Sequence, residues 1–245
     1  MPKHMLGAAL KSSREIDRSR AIATVERVAA LSSRPSDERT SGTSDARERL
    51  LTAAYELFSR RGVQAVGVDM IIERSGVARQ TMYRHFGSKQ DLVLAFLERR
   101  DELWTRGWLR ATVESRSADP REQLLAIFDA FDEWFRTPDF EGCSFINVML
   151  EHPDQDHPVH RASAAYLVRI RHFVEDLVRR AGISDAESFA RQWHLLMKGA
   201  IVTAGEGDVD AARRARALGE QLLAHVDDAP TRSGPAGPAR RRRAA

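Results

Sequence analysis

The segment from Gly76 to Leu92, GVARQTMYRHFGSKQDL, constrains the fold of this chain more than any other part of it. Gly76 permits the positive φ of a sharp turn between two helices, and Val77 is placed to anchor that turn in a core. Met82 and Phe86 lie four residues apart and form the apolar side of a short helix after the turn. The spacing therefore predicts two helices joined by a tight turn.

Helical patterning continues on both sides of this segment. Gly87 ends the short helix, and Ser88 is a favourable N-cap for a helix that follows. Another short helix is predicted from Asp69 to Ser75. A longer one precedes it, with an apolar stripe of Leu50, Ala54, Leu57 and Phe58. No stretch of the chain alternates as a β-strand does, so the sequence predicts an all-α fold that begins with a helix-turn-helix unit.

The polar positions of the second short helix carry groups that suit the major groove of DNA. Arginine pairs bidentately with guanine, glutamine pairs with adenine, and threonine contacts the thymine methyl group. Tyrosine, histidine and lysine bind phosphate oxygens, which position a protein without reading sequence. The predicted DNA-binding residues are Arg79, Gln80, Thr81, Tyr83, Arg84, His85 and Lys89.

Three strings, Ser-Gly-Val, Thr-Met-Tyr-Arg-His-Phe and Gly-Ser-Lys-Gln-Asp-Leu, follow one another here. In this order they resemble the DNA-binding region of the TetR family of transcriptional regulators, over about Asp45 to Trp104. The resemblance implies a homodimeric, all-α repressor with one recognition helix per subunit and a variable ligand-binding domain after it. It also implies DNA contacts from Thr81, Tyr83 and His85, a basic position at Arg79, and a phosphate-binding lysine at Lys89.

The chain departs from the family pattern at three places. Val66 and Gly67 stand where two hydroxyl residues are common, Ala78 replaces the usual serine before the recognition helix, and Gln80 occupies a position that is often small. We therefore expect weaker helix caps, fewer phosphate contacts and an unusual operator.

Charge is distributed unevenly along the 245 residues, whose net charge is +3. Residues 44–90 carry 8 basic and 5 acidic side chains, whereas residues 91–229 carry 17 and 25. This separation favours approach to DNA by one end of the molecule. The chain lacks a long apolar run and holds one cysteine, so we expect no membrane partner and a cytoplasmic location.

Composition divides the chain into four predicted parts. Residues 1–43 are a flexible basic extension, which is either an arm that contacts DNA or a disordered leader. Residues 44–92 are the DNA-binding domain, and residues 93–229 are the ligand-binding and dimerisation domain. Residues 230–245 are a disordered basic tail.

Two apolar stripes on long helices of the second domain predict a four-helix dimer contact. The alternative is that both stripes pack in the core of one subunit. The predicted interface residues are Leu167, Ile170, Val174, Leu177, Trp193, Leu196 and Ala200.

Aromatic residues of the second domain predict a cavity for an unknown small-molecule ligand, with an ordinary aromatic core as the alternative. Its predicted lining is Trp104, Trp108, Phe131, Trp134, Phe145, Asn147 and Glu151.

Other chemistries have little support in the sequence. No phosphate-cradling glycine loop, catalytic triad or zinc-ligand spacing occurs, so we expect no enzyme, no cofactor and no metal. Two alternatives stay open. One is a regulator that senses oxidation or electrophiles through Cys143, which requires an exposed thiol with a lowered pKa. The other is a protein that binds nucleic acid without regard to sequence.

Overall fold

The structure is a computed structural model that describes residues 41–228. The predicted C-terminal tail, and all but the last three residues of the predicted extension, lie outside the described residues. Within them the chain forms ten α-helices, one π-helical segment and no β-strand. The helices are α1 Ser41–Arg61, α2 Val68–Ser75, α3 Arg79–His85, α4 Lys89–Arg100, α5 Ala111–Arg116, α6 Pro120–Phe135, α7 Ser144–Glu151, α8 Pro158–Arg180, α9 Ala186–Gly205 and α10 Ala211–Asp228, with the π-helical segment Asp101–Arg110 between α4 and α5.

The first four helices form the helix-turn-helix unit. Leu50 of α1 and Ile71 of α2 are fully buried, and Met82 holds α3 against them. Gly76 ends α2 with a φ of 64°, and its backbone N–H donates to the carbonyl of Ile72. A side chain would be strained at this φ, which explains the glycine at the turn.

The second domain packs α6, α8, α9 and α10 around a core in which Phe128 and Trp193 are buried. Asp119 caps α6, where Pro120 opens the first turn. Gly219 of α10 lets two helices approach closely, because a Cβ atom there would lie 2.7 Å from the ring of Trp193. Asp185 caps α9 by accepting from the backbone N–H of Ser188.

One continuous helical rod joins the two domains. It runs through α4, the π-helical segment and α5, from Lys89 to Arg116, and its backbone stays helical at both junctions. Gly107 sits in the widened turn, where a Cβ atom would lie 2.9 Å from the carbonyl oxygen of Glu102. In residues 41–228 no helix is both long and apolar enough to cross a membrane.

The structure corrects the predicted dimer contact. Six of its seven residues are buried inside one subunit and present no surface to a second one. Leu196 is half-buried. The apolar stripes therefore belong to the core of the subunit, which is the alternative that the sequence left open. The buried six are Leu167, Ile170, Val174, Leu177, Trp193 and Ala200.

Candidate nucleic-acid interface and ligand cavity

The recognition helix α3 packs against the rest of the DNA-binding domain through one buried residue, Met82, and through Phe86 just after the helix. Its remaining side chains point outward to different degrees. Arg79, Gln80, Tyr83 and Arg84 are exposed, whereas Thr81 and His85 are half-buried. Tyr83 is 44% exposed, unusually open for a large aromatic side chain. The geometry thus offers a surface of cationic, amide and phenolic groups around a short helix.

Two of the predicted contacts are engaged within the chain. The guanidinium of Arg79 forms an ion pair with Asp69 of α2. The Lys89 ammonium donates to the carbonyl of Val63 over 2.6 Å, and burial lowers the pKa of this lysine. An ammonium has three donors, so two of them stay available at Lys89. The ring nitrogen Nε2 of His85 is buried and has no hydrogen-bond partner among the described residues.

Two helices of the DNA-binding domain begin with weak caps, as expected from the departures from the family pattern. Neither Gly67 before α2 nor Ala78 before α3 makes a side-chain cap. Asp69 lies in the first turn of α2, where a carboxylate interacts favourably with the helix dipole. Ser88 does cap α4, accepting from the N–H of Asp91.

A small cavity lies inside the second domain, between the rod and helices α6, α7, α8 and α9. Its free volume is about 10 Å³, so it is nearly closed in this conformation. His194 and Lys198 are its basic residues, and burial is the main cause that lowers the pKa of each, to about 3 for His194. The cavity is lined by Trp104, Phe131, Cys143, Ile146, Leu167, Ile170, His194, Met197, Lys198 and Ile201.

The two domains meet at the C-terminal end of α7. The Glu151 carboxylate accepts from the backbone N–H of Gln64, in the loop after α1, and the Gln64 side chain donates to the Glu151 carbonyl over 3.4 Å. Gly62 lies in the same loop with a φ of 77°, and a Cβ atom there would lie 2.4 Å from a Glu151 carboxylate oxygen. Lys89 is close enough for the Glu151 charge to act on its pKa, which it raises against the larger effect of burial.

Comparisons with known proteins agree with this architecture. The family model for bacterial regulatory proteins of the tetR family matches residues 50–96, and the one for tetracyclin repressor-like C-terminal domains matches residues 120–218. The crystal structure of SCO4454, a TetR-family transcriptional regulator from Streptomyces coelicolor, is 34% identical. The match covers 76% of this chain and 97% of that one, with a TM-score of 0.68. The chain belongs to the TetR family of transcriptional regulators.

Two further relatives are regulators by name. The HTH-type transcriptional regulator YjdC of Escherichia coli (strain K12) is 26% identical over 72% of this chain and 93% of its own length. The HTH-type transcriptional activator FasR of Mycolicibacterium smegmatis is 39% identical over 40% of each chain. This TetR-family chain is therefore a DNA-binding transcriptional regulator and not an enzyme.

The structure brings together only part of the cavity lining that the sequence predicted for this TetR-family chain. Trp104 and Phe131 line the cavity. Trp108 and Trp134 instead pack with Trp104 in an aromatic cluster, at ring-centroid distances of 5.3 and 5.1 Å. Phe145 is buried and stacks on Tyr166 at 5.1 Å.

Two polar residues predicted for the cavity lie elsewhere. Asn147 is exposed, and its amide donates to the carbonyl of Glu141. Glu151 faces the DNA-binding domain. The prediction was wrong for both, because the side chains project from a short helix whose inward face is apolar. His194 and Lys198 were missed, because basic residues on a helix usually face solvent and the sequence does not show that these two line a cavity.

Cys143 is buried in the cavity wall, and burial raises the pKa of its thiol. A raised pKa disfavours the thiolate that an oxidation or electrophile sensor needs, so the geometry argues against this alternative. In the part of the chain that the structure describes, no three His, Cys, Asp or Glu side chains are grouped to hold a metal.

Proposed function

We propose that this TetR-family regulator is a homodimeric repressor in the cytoplasm, and that a small molecule in the second-domain cavity releases it from its operator. The rod from Lys89 to Arg116 carries the proposal. It places Lys89 in the DNA-binding domain and Trp104 on the cavity wall within one continuous helix. A ligand that enlarges the nearly closed cavity must displace its wall, and a rigid helix transmits that displacement.

The proposed recognition surface is the exposed side of α3. Gln80 and Arg84 have no ion pair or hydrogen bond within the described residues and are free to contact base edges. Arg79 reaches DNA once it exchanges Asp69 for a phosphate or a guanine. The proposed phosphate contacts are Tyr83, His85 and Lys89, with Thr81 at the edge of the helix.

The proposed dimer contact uses the side of α9 opposite the buried stripe. Leu195 and Val202 are 71% and 52% exposed, and Gly199 lies between them on the same face. These positions are separated by four and three residues, so they form one strip along the helix. The small residue at the centre allows close approach of a second copy.

The direction of regulation rests on a physical argument. A dimer seated on a promoter blocks transcription by occupancy alone, whereas activation requires a further contact with the polymerase. The relative FasR is named an activator, so transcription measured with and without the protein decides between the two.

Selection of bound DNA from a random pool tests the proposal. A homodimer should recover a palindrome with half-sites about 34–36 Å apart, or a multiple of that distance. Gln80→Ala should recover a different palindrome, since an amide reads adenine. Enrichment of no sequence would instead identify a protein that binds nucleic acid without regard to sequence. A screen of small molecules for release from the recovered operator then tests ligand control.

A further inference from the structure

A second concave site lies on the outside of the ligand-binding domain. It is a cleft of about 440 Å³ between the π-helical segment and α8. It shares no lining residue with the small internal cavity. The cleft is lined by Asp101, Thr105, Arg106, Arg110, Arg169 and Phe173.

The π-helical winding places the polar groups of this cleft in two layers. Asp101 and Thr105 are 2% and 6% exposed and form the floor. Arg106 and Arg110 are each five residues further along the segment, which is the hydrogen-bond spacing of a π-helix, and they stand exposed at the rim. Arg169 of α8 supplies the opposite wall.

The charge of the cleft is unbalanced. Arg106 and Arg169 both bind the same oxygen of Asp101, Oδ2, over 3.1 and 3.4 Å. Arg110 lies over the ring of Phe173, 4.9 Å from its centroid, and pairs with no carboxylate within residues 41–228. Arg106 also pairs over 3.8 Å with Glu102, which is not a lining residue of the cleft. Among the lining residues, three guanidinium groups thus face one carboxylate.

Two buried oxygens at the floor lack partners. Neither Oδ1 of Asp101 nor Oγ1 of Thr105 has a hydrogen bond to any described residue. Leaving such groups unpaired costs free energy, and nearly all buried polar atoms in proteins are satisfied. Both oxygens belong to residues that line the cleft, so a ligand seated there can satisfy them.

We propose that this cleft binds a small organic oxyanion, a phosphate or carboxylate that also carries a hydroxyl group. The planar forks of the arginines bind the oxyanion in a bidentate manner, with Arg110 contributing the unpaired charge. The ligand hydroxyl donates to Oδ1 of Asp101, and Thr105 donates its hydroxyl to a ligand oxygen. This site is separate from the cavity proposed above for the releasing ligand.

Isothermal titration calorimetry on the full chain, in buffer of low ionic strength, tests the proposal. The probes are glycerol 3-phosphate and malate, which carry a phosphate or carboxylates beside a hydroxyl. We expect saturable binding of at least one probe, with one site per subunit. Arg110→Gln should weaken it about tenfold or more, because it removes a charged donor. Arg161→Gln is the matched control, because Arg161 is also on α8 and exposed but lies outside the cleft.

Thr105→Val tests the cleft without changing the net charge of the protein. The hydroxyl has no partner in the ligand-free chain, so its removal should leave thermal stability unchanged or raised. It should nonetheless weaken probe binding about fivefold. The proposal fails if neither probe binds saturably, if Arg110→Gln and Arg161→Gln weaken binding equally, or if Thr105→Val leaves it unchanged. None of these measurements involves the operator, so a failure of the cleft proposal leaves the repressor proposal standing.

Discussion

Glu151 Oε2 accepts a hydrogen bond from the backbone N–H of Gln64 over 2.6 Å and so ties the end of α7 to the loop after α1. These residues are 87 positions apart in the sequence. The contact joins a helix of the second domain directly to the DNA-binding domain. It complements the rod as a second connection between the cavity and the recognition helix.

Substitution of Gly62 should disturb this junction. Gly62→Ala forces a left-handed φ on alanine, at a cost of about 1–2 kcal/mol, and drives its methyl group into the Glu151 carboxylate. Glu151→Ala in the same background should recover the part of the loss that comes from the clash. Urea unfolding of the wild type, both single variants and the double variant, at one protein concentration, measures the coupling. Additive free energies would show that the two residues do not meet.

Removal of the Asp69 charge should strengthen DNA binding. Asp69 holds the Arg79 guanidinium within the protein and places a negative charge near the proposed phosphate path. Asp69→Asn should therefore raise affinity for the operator and for unrelated DNA alike, and steepen the dependence on salt by about one counterion. Fluorescence anisotropy over a series of salt concentrations measures both. Glu73→Gln, on the same helix with an exposed carboxylate, is the control for general charge. An equal gain from both variants would assign the effect to net charge alone.

A charge on the exposed strip of α9 should separate the subunits. Leu195→Glu places a carboxylate within the proposed dimer contact, where it would be desolvated without a partner. Leu150→Glu is the matched control, because Leu150 is 69% exposed and Leu195 is 71% exposed. Analytical ultracentrifugation should show monomers for the first variant and dimers for the second. A dimer that survives Leu195→Glu would place the interface elsewhere.

Stability should fall in mild acid because of His194. Burial, with smaller contributions from Lys198 and Arg171, lowers the pKa of this imidazole to about 3 in the fold. Unfolded chains have a histidine pKa of about 6.5, so below that pH the unfolded state binds a proton that the native state rejects. The contribution is complete above pH 6.5 and is lost as the pH falls towards the folded value.

The free energy of unfolding, measured with urea at pH 7 and at pH 5, tests this. The wild type should lose about 2 kcal/mol more than His194→Gln over that interval, since the amide does not titrate. Comparing the loss of each protein between the two pH values, rather than their absolute free energies of unfolding, removes the effect of the substitution itself on packing. Equal losses for the two proteins would show that the imidazole is already charged, or accessible to water, in the fold.

The helix-turn-helix unit followed from the sequence because short-range rules determine it. Turn glycines, N-caps and apolar spacing act within a few residues, so Gly76, Met82 and Ser88 lie where their pattern predicted. The side of α9 that packs inside the subunit did not follow from the sequence. Helix α9 is apolar on two sides, and periodicity identifies each stripe without showing which one packs inside the subunit. Trp193 belongs to the inner stripe and Leu195 to the outer one.

The cavity was predicted from composition, which does not report the direction of a side chain. Asn147 and Glu151 are polar residues in an aromatic region, yet both point away from the cavity. His194 and Lys198 are isolated in the sequence and become neighbours of Trp104 only after three helices pack together. Long-range packing of this kind leaves no local pattern.

The rod from Lys89 to Arg116 has a consequence for the design of hybrid sensors. A chimera made by cutting at the predicted boundary between residues 92 and 93 would divide a helix of about 40 Å just after its first turn. The register of the graft would then change the rotation of every side chain beyond the cut by about 100° for each residue gained or lost. The non-helical segment from Ser117 to Asp119 is the first place after Lys89 where two proteins can be joined without interrupting a helix. A transplanted DNA-binding module should therefore include the entire rod.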